Sequence, residues 1–133
     1  MNLKDSGSVV KSPLFYYVDE NHGIDARMQV VDGKFVLLKG SIITTKATMD
    51  ARADSTIRKV ECITQDLNSL IRQGILLPHG RNREGNTGEL QEDQEYTTSS
   101  GALRIARGSS MTGGRHWKLE DGRTYYQWIG HQA

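Results

Sequence analysis

The chain has 133 residues, a formal net charge of +1 and one cysteine, with 36% apolar and 25% charged residues. This is the size of one domain with a modest core. The balanced charge excludes a global attraction to nucleic acid or membrane, so any electrostatic function has to come from local clustering. The single cysteine excludes an internal disulfide framework and multi-thiolate metal sites. No stretch approaches the roughly 20 apolar residues of a bilayer span. The N-terminal "MNLKDSGSVVKSP" lacks the apolar centre of a secretory signal. Together these point to a soluble, cytoplasmic protein with no membrane partner.

In chain order, residues 1–13 read as a flexible arm ending at Pro13. "LFYYV" has the aromatic and branched content of a strand, and "DENHG" breaks it. "IDARMQVVDGKFVLLKGSI" is two strands meeting at Asp32-Gly33, a pair that accepts the positive φ of a tight hairpin turn. The second strand should finish near Lys39, because Gly40 permits a bulge or sharp exit. "DSTIRKVECITQDLNSLIRQG" is a helix, with Asp54 or Ser55 as its cap and Gly74 as its left-handed exit. Ile57, Val60, Ile63, Leu67, Leu70 and Ile71 share one face, and Cys62 falls opposite, an exposed bystander. "ILLP" adds a short strand that Pro78 closes at an edge.

"HGRNREGNTGELQEDQE" has a single apolar residue, so residues 79–95 read as a mobile loop unable to offset the entropy of ordering. "YTTSSGALRIARG" is a short helix capped by hydroxyls, with Gly108 as its exit. Ala102, Leu103 and Ala106 lie on one side and Arg104 and Arg107 on the other. The final "RHWKL" and "RTYYQW" form a hairpin at Asp121-Gly122. The expected fold is α+β: a mainly antiparallel sheet of about five to six strands, with one long and one short helix packed on one face. A single domain spans residues 14–130.

Catalytic patterns are thin. His22, His79, His116 and His131 are far apart in sequence, with no paired spacing for a zinc site. A phosphate loop needs its Lys after the second Gly, whereas Lys39 precedes Gly40 and Ser41. A metal-dependent nuclease needs an acid two residues before such a Lys, and Leu37 stands there. There is no Gly-x-Ser-x-Gly elbow. The chain is therefore expected not to be an enzyme and to use no metal or cofactor.

Anion chemistry is better represented. The hydroxyls and amides of Thr98, Ser99 and Ser100 at a helix start suit a phosphate, or equally an ordinary N-cap. From Tyr96 onward five cations, Arg104, Arg107, Arg115, Lys118 and Arg123, face two acids, Glu120 and Asp121. If helix and hairpin are neighbours, these cations form a basic patch, with Trp117, Tyr125 and Trp128 either as stacking platforms or as core. Alternation puts Trp117 and Leu119 on one face and His116 and Lys118 on the other, which favours a buried Trp117. Of Tyr125 and Tyr126, one turns inward and one outward.

"GKFVLLKGS", the helix running into "LIRQGIL", and "YTTSSGALRIARGSSMTGGRHWKLEDGRTY" resemble the domain of unknown function 4357 family, over roughly residues 15–128. The chain departs from that family's pattern where Ser99 replaces a usual Pro and where Gly113-Gly114 replaces a usual Asn-Gly. The resemblance implies a C-terminal accessory domain of GIY-YIG nuclease-like and restriction-modification proteins, similar to the RAMA module of adenine methylases, and no enzymatic activity. Two functions follow as expectations. One is a non-catalytic module that binds DNA or RNA through Lys39, Arg104, Arg107, Arg115, Lys118 and Arg123, with Thr98, Ser99 and Ser100 assisting. The other is a regulatory domain that contacts a nuclease or methylase subunit.

Overall fold

The computed structural model describes residues 11–47, 56–78, 86–109 and 113–132, and strand β1 (Lys11–Asp19) opens it. The expected arm thus ends earlier: residues 11–13 already belong to the sheet, and residues 1–10 lie outside the described ones. Ser12 is buried and its Oγ accepts the Val30 amide at 2.8 Å, which ties the strand down beyond Pro13. β1 pairs with β2 (Ile24–Val31), and β2 with β3 (Lys34–Leu37) through the Asp32-Gly33 turn, where φ is +50° and +80°. Along β2, Ile24, Ala26 and Met28 are buried and Asp25 and Arg27 exposed, the period-2 pattern of a sheet with one core face.

The strand after the turn does break before Gly40, and β4 (Ile42–Thr44) resumes the same track. Gly40 has a φ of +91°, and the Ser41 hydroxyl accepts the Arg27 amide at 2.9 Å in place of a ladder bond. The bulge lets one stretch of chain pair with β2 on one side and with two later strands on the other. Those strands are β6 (Thr87–Leu90) on β4 and β7 (Gln94–Tyr96) on β3. They correct the expected loop over residues 79–95, of which residues 79–85 lie outside the described ones. The segment orders despite its polarity because backbone ladders satisfy β6 on both sides and β7 on one, while Thr87 and Leu90 are buried. The Asp93 carboxylate also accepts the Lys39 amide at the bulge, at 2.8 Å.

Helix α1 (Thr56–Arg72) and edge strand β5 (Leu76–Pro78) match the sequence reading, including Gly74 at φ +75° and an exposed Cys62. Ile63, Leu67 and Leu70 are buried, while the caps Asp54 and Ser55 lie outside the described residues, as does the side chain of Ile57. The described residues give a seven-stranded sheet in the order β5-β6-β4-β2-β3-β7 with β1 on β2, every pair antiparallel. Helix α2 (Ser99–Arg107) packs over β2, β3, β4 and β7 and against α1.

The C-terminal hairpin is the second correction. Residues Gly113–His116 form a helical turn, α3, and Tyr125–Gln132 form helix α4, so the molecule has four helices among the described residues instead of two. Only the tip of the hairpin exists: Glu120 and Asp121 turn the chain, Gly122 leaves the turn at φ +95°, and Lys118 bridges Tyr16 on one side and Thr124 on the other. Thr124 and Gln127 explain the helix. The Gln127 side chain accepts the Thr124 amide at 2.9 Å and the Thr124 hydroxyl accepts the Gln127 amide at 3.2 Å, a capping box read in sequence as part of a strand. Helical spacing then puts Tyr125 and Trp128 together on Phe15, each edge-on at 5.5 Å, with Tyr125 also 5.5 Å from Phe35. Tyr125 is the half-buried one of the pair and Tyr126 is exposed.

Candidate functional site

The six expected cations meet different surroundings. Lys39 is exposed at the bulge beside Asp93. Arg115 and Lys118 are exposed near the C-terminal turn, and Arg123 turns back onto Asp121, Nε to Oδ2 at 2.9 Å. Arg104 is half-buried on α2, close enough to Tyr96 for its charge to act on the phenol. Burial, with Asp66 adding to it, pushes the Tyr96 phenol up to about 12 against that opposing charge. Arg107, one turn further along α2, is held instead at Asp19, Nε to Oδ2 at 3.5 Å.

Thr98, Ser99 and Ser100 build the protein's architecture. Thr98 caps α2, its Oγ1 accepting the Gly101 amide at 2.8 Å. The buried Ser99 offers its carbonyl to the Trp117 indole at 3.0 Å, and the Ser100 hydroxyl accepts the Gly113 amide at 2.9 Å. Ser99 and Ser100 at the helix start are thus met by the Gly113 backbone and by Trp117, which is fully buried as its alternation implied.

The other end of α2 is different. Alternation in β1 carries Phe15, Tyr17 and Asp19 on the core-facing side, and α2 brings Arg107 to the last of them. The Asp19 carboxylate gathers His22 Nδ1 at 2.8 Å, the Tyr17 hydroxyl at 3.4 Å and the Arg107 guanidinium. Burial alone would raise the Asp19 carboxyl. The His22 hydrogen bonds and charge, with the charge of Arg107, outweigh it and hold Asp19 below the usual carboxylate value. Tyr17 moves the other way, raised by burial with the Arg107 charge opposing.

A depressed folded value means that the Asp19 contribution is complete above the unfolded carboxylate value, near pH ~3.9. It is lost as pH falls through the lower folded value. Asp19→Asn is expected to cost about 1–2 kcal/mol at neutral pH and to flatten the acid limb below about pH 4. Urea unfolding of both proteins across that range measures both effects.

Beside this cluster lies a cleft of about 240 Å³. Its wall carries His22 from the β1–β2 turn, Lys46 from the segment after β4, and Arg107 from α2. Thr44 and Asn86 add polar atoms, and Ile24 and Ala47 an apolar floor. Lys46 is placed by Thr44, whose hydroxyl donates to the Lys46 carbonyl at 2.7 Å, and by Gly108. At Gly108, φ is +83° and a Cβ would come within 2.8 Å of the Lys46 carbonyl, so glycine is required twice over. Arg107 is 18% exposed, and its guanidinium, with Nε 3.5 Å from the Asp19 carboxylate, forms part of the cleft wall. A guanidinium in a cleft wall is a group suited to meet an oxyanion.

Of the residues expected from sequence, the cleft uses Arg107 alone; His22, Lys46 and Asp19 were missed. The available signal was alternation, which puts Asp19 on the same face as Phe15. Among the described residues no group of three or more His, Cys, Asp or Glu could hold a metal ion, and no helix is long and apolar enough to cross a membrane. No curated protein and no solved structure matches the chain. The family model of Domain of unknown function (DUF4357) matches residues 16–129, which takes in the sheet from Tyr16 onward, the cleft and the Trp117 anchor: the chain belongs to that family.

Proposed function

We propose that this domain is a non-catalytic accessory module of the cytoplasm that binds nucleic acid through phosphate, in a DNA-processing setting such as restriction-modification. The observation that carries the reading is the cleft, where Arg107, Lys46 and His22 converge from three separate parts of the chain. Local clustering of this kind is what a nearly neutral protein needs to attract a polyanion. Labelled single-stranded and duplex DNA and RNA, titrated at low and at physiological salt, test it. Affinity is expected to fall linearly on a log-log plot against salt, and Lys46→Gln to weaken binding and lower that slope by about one. No binding of any probe at low salt overturns the reading.

The other reading, a regulatory domain that docks on a nuclease or methylase subunit, draws on α4. Tyr126 and Ile129, three residues apart on that helix, are 50% and 38% exposed. Capture of such a subunit that survives nuclease digestion, and is lost on Ile129→Lys, supports it.

A further inference from the structure

The shape and charge of the cleft narrow what kind of phosphate it suits. Resting on the nucleic-acid reading above, we infer that the cleft between the β1–β2 turn, the segment after β4 and the C-terminal end of α2 holds a terminal phosphomonoester, the phosphorylated end of a strand. An internal diester is the poorer fit.

Three observations lead there. First, the basic residues come from three separate parts of the chain and line one compact cleft, whereas a protein that tracks a continuous backbone spreads its cations along a groove. A strand bound through an internal phosphate has to enter and leave; a strand bound by its end only enters. Second, about 240 Å³ lies below the roughly 300–1,000 Å³ of sites for drug-sized ligands. It suits a phosphate with the sugar to which it is attached, the sugar resting on Ile24 and Ala47.

Third, the net charge of the cleft favours a dianion. Lys46 and Arg107 exceed the one carboxylate, Asp19, by a single charge, and a site of net positive charge attracts a dianion more strongly than a monoanion. Asp19 engages Nδ1 of His22, so the other ring nitrogen, Nε2, is the one turned away from that carboxylate. A phosphomonoester carries about −1.5 to −2 at neutral pH, against one charge on a diester. The donors fit as well. Arg107 brings a guanidinium and Lys46 an exposed ammonium, and a terminal phosphate has three oxygens to receive them.

The test uses the full chain and one single-stranded oligonucleotide sequence in three forms: 5′-phosphorylated, 3′-phosphorylated, and with hydroxyls at both ends. Fluorescence anisotropy is expected to show at least one phosphorylated form bound about tenfold more tightly than the hydroxyl form. Comparing the two phosphorylated forms identifies which end is taken. Inorganic phosphate is expected to compete away that increment and leave the remainder. Lys46→Gln, at an exposed position that leaves Tm unchanged, is expected to abolish the increment, and Arg107→Gln to do the same if it folds. Equal, salt-sensitive binding of all three forms overturns the terminal-phosphate inference and leaves the nucleic-acid reading standing. Binding of none of them at low salt overturns that reading, and the inference with it.

Discussion

Replacing Trp117 by Ala is expected to destabilise the domain by about 3–5 kcal/mol, comparable with the whole stability of many small domains. Trp117 is the largest fully buried side chain, and three parts of the chain meet on it. Its indole donates to the Ser99 carbonyl, its backbone links α3 to Tyr125, and its ring lies 6.2 Å from that of Tyr17. Trp117→Phe keeps most of the apolar contact and loses the hydrogen bond to the Ser99 carbonyl, at about 0.5–1.5 kcal/mol. Urea unfolding should rank the proteins wild type, Phe, Ala. An Ala variant as stable as wild type would mean that Trp117 does not anchor the start of α2.

Gly113→Ala gives the second large effect, and its sign goes against helix propensity. In an isolated helix the change would stabilise by up to about 1 kcal/mol. Here a Cβ on Gly113 would overlap the Ser99 carbonyl, which is backbone and already held by Trp117. Overpacking against an immovable neighbour costs about 3 kcal/mol, so the expected net change is a destabilisation of about 2–3 kcal/mol. The neighbouring glycine is the control. A Cβ on Gly114 meets the Tyr126 ring, which is half exposed and free to swing aside, so Gly114→Ala should cost less. Thermal unfolding of the pair decides it, and equal losses would show that the Ser99 contact is not what sets the cost.

These contacts bear on how the sequence could be read. The Asp32-Gly33 turn, the break at Gly40, the face of α1 and the Thr98 and Gly108 caps were all legible because each depends on residues within a few positions of one another. Residues 86–96 were misread for the opposite reason. Their order comes from ladders to β3, β4 and β5, with the Asp93 carboxylate reaching Lys39 across 54 positions of sequence. Tyr125–Trp128 was misread on composition: aromatic residues suggested a strand, while the capping pair Thr124 and Gln127 stood in plain view.

The candidate site divides along the same line. The hydroxyls at the start of α2 announced either a phosphate site or a cap, and only the arrival of Gly113 and Trp117 from later in the chain assigns them to the cap. The cations of the last third of the sequence suggested one patch, and two of them are ion-paired, Arg107 to Asp19 and Arg123 to Asp121. The fold also builds a cleft lined by basic residues at positions 22, 46 and 107. Turns, caps and amphipathic faces are settled by neighbours along the chain, where backbone geometry limits the choices to a few. Convergence of distant charges depends on which strand lies beside which, and on how far each helix slides along the sheet. Here the tertiary structure settled that through the Gly40 bulge, the close approach of Gly108 to Lys46, and the Trp117 anchor.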